Sequence, residues 1–191
     1  MVNYERESVD HKKLTIAYHE TGHAVMALVC GHKIQTVSLR ESDSPRGTGK
    51  YLGSTRLDQT ERKIKDPINE ALQQIRIALA GGVGEGLFAD NVARVGEDDM
   101  ARALEEAEKL LKLDENVKSW IAGWPAPPPG AFSMIQNQLV RSCIVNILNE
   151  CFEIMIPLKP PVQFIAEELL RREELTGDEI STLFNSFIQE R

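Results

Sequence analysis

Residues 14–30 read LTIAYHETGHAVMALVC, and the spacing of their apolar side chains predicts a helix that is apolar nearly all round. These side chains recur three and four residues apart in two separate stripes, whereas a surface helix carries only one. A helix with two apolar stripes is usually buried, and the polar side chains within it then need partners. We therefore predict a buried helix that ends near Gly31, a residue suited to a helix C-terminus.

The same stretch contains an HExxH motif, formed by His19, Glu20 and His23. Residues four apart lie one above the other on a helix, so the two imidazoles can bind one zinc ion. Glu20 can take a proton from a water on the metal as that water attacks a carbonyl carbon, and can then deliver it to the leaving amine. The alternative is a pair of histidines satisfied by hydrogen bonds alone, but three ionisable groups on so apolar a helix would be costly without a strong partner.

A catalytic zinc site needs a third protein ligand, and the candidates are Asp98 and Asp99 at the start of a later helix. Asp98 shares its helical face with charged residues, whereas Asp99 shares its face with Ala103, Ala107 and Leu110. We therefore expect Asp99 to point into the core, and Asp98 to cap the helix or face water. Alternatively, both are acids favoured by the positive end of the helix dipole.

An early hairpin interrupts the helical pattern. Residues 32–40 and 49–57 have the composition of two strands, and the polar loop between them, 41–49, predicts a mobile tip. The first strand directly follows the metal helix, so its edge could bind an extended substrate; equally, the hairpin could simply cover the core.

The rest of the chain predicts further helices separated by strong breaks. Four glycines in GGVGEG, residues 81–86, are expected to loosen a helix end or to allow close packing, and they lack the spacing of a phosphate-binding loop. Residues 123–130, GWPAPPPG, predict a polyproline-like connection. The predicted helices run from Asp66-Pro67 to about Ala80, over 98–113, 135–156 and 162–174, and from Thr176, whose spacing to Glu179 is that of a capping box.

Composition limits the partners and the compartment. The 191 residues include 22 Lys and Arg against 29 Asp and Glu, a formal charge of −7 that argues against nucleic acid or an anionic membrane as the main partner. No apolar run approaches the roughly 20 residues of a membrane span. Three cysteines without a CxxC pair favour a reducing compartment. We expect a soluble, cytoplasmic protein with a single domain over 1–191, in which 1–122 carry the metal site and hairpin and 131–191 form a C-terminal helical part.

Segments spread in order from about Leu14 to Phe184 resemble the peptidase domain of FtsH, the membrane-anchored AAA zinc protease. They are AYHETGHAV, HKIQTVSLR, ALAGGVGEGLF, GEDDMARALEEAEKL and LLRREELTGDEI. The resemblance implies a mainly α fold, a helical zinc-peptidase domain with a small inserted β-hairpin or sheet. It also implies that Zn²⁺ is bound by His19, His23 and Asp99, with Glu20 as the catalytic glutamate.

The chain also departs from the family pattern. Gly82 and Gly86 stand where the family has an arginine and a second glutamate, Glu85 is retained, and Thr21 replaces the usual alanine. These residues contain neither an AAA module nor a membrane anchor, so ATP-driven unfolding and a hexameric ring are not implied. The oligomeric state and a separate ATPase partner stay open.

The leading hypothesis is a zinc metallopeptidase that hydrolyses peptide bonds in unfolded proteins or peptides, and that does not itself use ATP. One alternative is a catalytically inactive peptidase-like module that binds metal or a protein partner. Another is a metal-dependent hydrolase acting on something smaller than a peptide, because HExxH alone does not define the substrate.

Overall fold

The chain folds mainly into α-helices with a small antiparallel sheet, which confirms the predicted fold class. A computed structural model describes residues 2–43, 50–58, 66–89 and 95–188. In chain order the elements are α1 (Val2–Val29), β1 (Ile34–Asp43), β2 (Lys50–Leu57), α2 (Pro67–Phe88), α3 (Glu97–Leu113), α4 (Glu115–Ala122), α5 (Gln138–Met155), a 3₁₀ turn (Ile156–Leu158), α6 (Lys159–Arg172), β3 (Glu174–Thr176) and α7 (Gly177–Ile188).

Helix α1 is the buried helix predicted over 14–30, although it begins earlier, at Val2. It packs against α2, α6 and the strands β1 and β2, which explains why it is apolar on more than one face. The helix ends where predicted, because Gly31 adopts a φ of 79° and donates its N–H to Leu28 O at 2.9 Å.

Helix α2 begins as predicted but continues well beyond Ala80, to Phe88. Asp66 caps it by accepting hydrogen bonds from two backbone N–H groups, at 3.0 and 3.1 Å.

The expectation that the glycines would loosen this helix is wrong, and the alternative of close packing is correct. A Cβ on Gly84 would lie 2.4 Å from Tyr18 O in α1, and one on Gly22 of α1 would lie 2.4 Å from Ala80 O. The two backbones approach so closely that only glycine fits, and this packing offsets the helix-weakening effect of glycine.

The sheet has the order β2-β1-β3, and both pairings are antiparallel. The predicted hairpin of β1 and β2 is confirmed, but the polar loop begins later than expected because β1 extends to Asp43. The predicted mobile tip falls mainly on 44–49, outside the described residues. Strand β3, which the sequence analysis missed, pairs with residues 36–38 of β1 and therefore covers part of the edge suggested for substrate. That suggestion is corrected: β1 is the central strand.

The C-terminal helices largely follow the predicted pattern. Helix α5 ends at Met155 before the proline-rich turn, and prolines then occupy the first turn of α6. The capping box at α7 is present, because Thr176 N–H donates to Glu179 Oε2 at 2.8 Å. Helix α4 was not predicted. Residues 125–128 are neither helix nor strand, as expected, and Pro125 O accepts a hydrogen bond from Asn146 Nδ2 at 2.9 Å.

The described residues before 123 pack on those after 130 through α2 against α5, α1 against α6, and β1 against β3. The division into 1–122 and 131–191 within one domain stays a prediction. Among the described residues, no helix combines the length and the apolar character needed to cross a membrane.

Candidate metal centre

Three side chains from two helices meet at a largely buried position. His19 and His23 lie on α1, and Asp99 lies in the first turn of α3. Asp99 Oδ2 is 3.0 Å from His19 Nε2 and 3.3 Å from His23 Nε2, and the two Nε2 atoms are 2.9 Å apart. Within the described ranges, these three residues form the group of metal-ligating side chains that could hold an ion. The structure therefore brings together the three predicted ligands.

The two imidazoles are held in place through their other nitrogens. His19 Nδ1–H donates to Glu85 Oε1 at 2.5 Å, and His23 Nδ1–H donates to Ile77 O at 2.6 Å. Both acceptors belong to α2, the helix that packs most extensively on α1. A proton fixed on Nδ1 leaves the Nε2 lone pair free to bind a cation, which is the usual arrangement around metal-binding histidines.

From the sequence, Glu85 was recognised only as an acid retained from the family pattern and was not assigned to the site. A general rule could have suggested this role for Glu85, because a carboxylate beside a ligating histidine is a common orienting partner. However, α2 was expected to end near Ala80, and in that case Glu85 would not lie on the helix beside His19. Because α2 continues to Phe88, Glu85 reaches the imidazole of His19.

The donor atoms and the space beside them fit a bound cation. Two imidazole nitrogens 2.9 Å apart repel each other unless a proton or a cation lies between them. Two nitrogens and a carboxylate oxygen are a ligand set that zinc accepts. Gly81 of α2 leaves room next to both Nε2 atoms, where any side chain would intrude.

The electrostatics of the cluster favour positive charge. Burial opposes protonation of His19, but hydrogen bonds to Asp99 and Glu85 outweigh it and raise the pKa of His19 to about 10. Burial alone would raise the pKa of Asp99, yet the nearby imidazoles of His23 and His19 lower it well below its usual range. The two carboxylates that favour a proton on His19 would also favour a metal cation at this position.

Glu20 is buried beside the three potential ligands without being one of them. Its exposed fraction is 6%, and burial raises its pKa above the usual value for a glutamate. Thr55 of β2 donates a hydrogen bond to Glu20 Oε2 at 2.8 Å. A carboxylate close to a metal site, but outside its ligand set, is suited to proton transfer.

Asp99 points inward, as its helical stripe predicts, but the expectation that Asp98 caps the helix or faces water is not met. Asp99 faces the histidines, and the residues on its stripe, Ala103, Ala107 and Leu110, are fully buried. Asp98 is half-buried in the first turn of α3 and does not cap it, because Gly96 occupies the cap position.

A buried helix with the HExxH sequence, packed against α2 and approached by an inward aspartate of α3, is typical of metallopeptidase domains. Residues 6–113, more than half of the chain, match the model of peptidase family M41, and the chain belongs to this family. The resemblance noted in the sequence is therefore confirmed.

Curated relatives extend the similarity along most of the chain. ATP-dependent zinc metalloprotease FtsH 3 of Petrotoga mobilis is 25% identical over 197 residues, covering 91% of this chain and 29% of that protein. ATP-dependent zinc metalloprotease FtsH of Thermotoga maritima is 26% identical over 192 residues, covering 91% of this chain and 31% of its own length. A Burkholderia pseudomallei FtsH is 33% identical over 116 residues, 58% of this chain. The chain spans less than a third of the length of these relatives.

Proposed function

We propose that this chain is a zinc-dependent metallopeptidase domain that hydrolyses peptide bonds in unfolded proteins or peptides. His19, His23 and Asp99 hold the zinc ion and Glu20 is the catalytic residue. The observation that carries the proposal is the convergence of the three donor atoms, with each imidazole oriented from behind by a partner on α2. The chain's membership of peptidase family M41 supports the reaction class.

A bound zinc ion supplies a Lewis acid that lowers the pKa of a water to near 7 and polarises a carbonyl group. Glu20 takes the proton that the water loses as it attacks the carbonyl carbon, and returns it to the leaving amine. Burial favours this role, because it raises the pKa of Glu20 and so makes its carboxylate a better proton acceptor. Asp99 and the two histidines act as ligands and do not transfer this proton.

We infer that the substrate lies along β2 rather than β1. Strand β2 contacts Glu20 through Thr55, and in the described part of the chain β2 pairs with β1 alone. Its outer edge can accept an extended peptide as an added strand, with main-chain hydrogen bonds that do not depend on the side chains of the peptide. A preference for unfolded or short substrates follows from this requirement for an extended backbone.

The alternative of an inactive module rests partly on the replacement of a family arginine and glutamate by Gly82 and Gly86. Against it, α2 is unbroken through these glycines and still supplies Glu85 to His19. A hydrolase for smaller substrates would not need the open edge of β2. The cytoplasmic location and a separate ATPase that delivers substrate remain predictions.

The direct test replaces Glu20 with Gln and measures cleavage of casein together with zinc content. The expected result is stoichiometric zinc with cleavage abolished. Glu108→Gln, at an exposed position of α3, is the matched control and should cleave like the wild type. Cleavage by Glu20→Gln at the wild-type rate would contradict the proposed function.

The ligand assignment is tested by a matched pair of neighbours. Asp99→Asn should lose most of its zinc, whereas Asp98→Asn should retain it, because only Asp99 faces the histidines. Equal zinc content in both variants would remove Asp99 from the site.

A further inference from the structure

Strand β2 reaches into the site through the hydroxyl of Thr55. Thr55 Oγ1 lies 2.8 Å from Glu20 Oε2 and 3.0 Å from the backbone oxygen of Glu20. Because the strand and the helix are separate elements, this contact fixes the Glu20 side chain relative to the sheet as well as to its own helix.

The hydroxyl proton of Thr55 belongs mainly to the carboxylate. A threonine hydroxyl carries a single proton, so Oε2 and the backbone oxygen of Glu20 compete for it. The backbone oxygen of Glu20 lies inside α1, where it already accepts the N–H four residues further on. An ionised carboxylate is also the stronger acceptor. The contact with Oε2 is therefore the one that restrains the side chain.

The second carboxylate oxygen lies beside Gly53. A Cβ on Gly53 would fall 2.6 Å from Glu20 Oε1 and 2.7 Å from Ile16 Cγ2. Gly53 also adopts a φ of 89°, in the left-handed region that favours glycine. Oε2 accepts the hydrogen bond from Thr55, whereas Oε1 lies against the backbone at Gly53. The two oxygens of Glu20 are thus in different environments.

From this asymmetry we infer that Thr55 is a positioning residue for Glu20. Its hydroxyl holds Oε2 and so fixes the orientation of the carboxylate, while Gly53 keeps the space around Oε1 clear. The torsion that rotates a glutamate carboxylate is broad, so without this hydrogen bond Glu20 would sample orientations in which neither oxygen reaches the water. The inference rests on the proposed function, in which Glu20 is the general base.

Thr55→Val removes the hydroxyl and keeps the shape of the side chain, whereas Thr55→Ser keeps the hydroxyl. Thr55→Val should lower kcat about 10- to 100-fold, the range found when partners of catalytic-site groups are removed, with KM and zinc content unchanged. Thr55→Ser should restore kcat close to the wild-type value. If Thr55→Val does not fold, Thr55→Ala and Thr55→Ser give the same comparison, and equal kcat in the two would overturn the inference.

A measurement on the zinc-free protein tests the contact without catalysis. Urea unfolding of the wild type, Thr55→Val, Glu20→Ala and the double variant forms a double-mutant cycle. The decrease in urea midpoint caused by Thr55→Val should be smaller in the Glu20→Ala background, because the hydroxyl has then lost its carboxylate partner. Equal decreases in both backgrounds would show that Thr55 does not act on this side chain, and would overturn the inference.

The two proposals fail in distinguishable ways. Wild-type cleavage by Glu20→Gln contradicts the proposed function and, with it, any role of Thr55 in that reaction. Glu20-dependent cleavage with an unchanged kcat in Thr55→Val overturns the positioning role alone.

Discussion

Gly81 lies so close to His23 that a Cβ on the glycine would fall 2.4 Å from Nε2 of the imidazole. The same atom would lie 2.6 Å from Nε2 of His19. Because Gly81 has no side chain, room is left beside the Nε2 atoms of both histidines. Its position in α2 also explains why a glycine-rich segment can be part of an ordered site.

Gly81→Ala should weaken zinc binding by about 100-fold or more, because the imidazoles are fixed through Nδ1 and cannot move away. Gly84→Ala is the informative comparison, since its Cβ would meet Tyr18 O in α1 and not the donor atoms. We expect Gly84→Ala to lower the unfolding midpoint while the folded protein still binds zinc. Competition with a fluorescent zinc chelator measures both affinities, and a wild-type affinity in Gly81→Ala would be inconsistent with the site.

Glu85 should influence zinc affinity although it is not a ligand. Glu85→Gln removes the negative charge that accepts the Nδ1 proton of His19 and makes that imidazole a better donor. We expect a loss of about 10-fold in zinc affinity. Glu108→Gln, which is far more exposed on α3, should leave the affinity unchanged. Equal affinities in the two variants would remove Glu85 from the support of the metal site.

Thr21 lies in α1, and burial of its hydroxyl lowers the free energy of unfolding. The residue is fully buried, and its hydroxyl has no hydrogen-bond partner among the described residues. Thr21→Val replaces this hydroxyl with a methyl group of similar size, and should raise the free energy of unfolding by about 1 kcal/mol. Thr182 is a useful control, because its exposed hydroxyl donates to Asp178 O at 2.8 Å and Thr182→Val should bring no gain. Urea unfolding in a zinc-free buffer makes the measurement, and a destabilised Thr21→Val would show that the hydroxyl is satisfied.

The capping box of α7 gives a pH dependence that is separate from the metal site. The backbone N–H of Thr176, with Arg172 and the Thr176 hydroxyl, lowers the pKa of Glu179 to about 2. A lowered pKa in the folded state stabilises the protein above the unfolded value of 4.5, and this contribution is lost as the pH falls through about 2.

Glu179→Gln should therefore melt below the wild type at pH 7, and the difference should narrow between pH 4.5 and 2. Thermal unfolding of both proteins across this range provides the test. A difference that stayed constant down to pH 2 would mean that the charge of Glu179 contributes nothing to α7.

Local patterns predicted much of the fold and the three potential metal ligands. The spacing of His19 and His23 and the inward stripe of Asp99 needed only helical periodicity, and the structure brings the three side chains together. The extension of α2 through its glycines could not be predicted, because the favourable term is a contact with the distant helix α1. Strand β3 is equally non-local, since its three residues pair with β1 from the opposite end of the chain. The first of these missed features includes Glu85, which contacts His19 in the site.

The central claim is that one zinc ion is bound by His19, His23 and Asp99. Crystals of the zinc-loaded protein, measured on both sides of the zinc absorption edge, test it most directly. We predict a single anomalous peak about 2.0–2.2 Å from the two Nε2 atoms and an Asp99 carboxylate oxygen. A zinc-loaded crystal without a peak between these side chains would contradict the account.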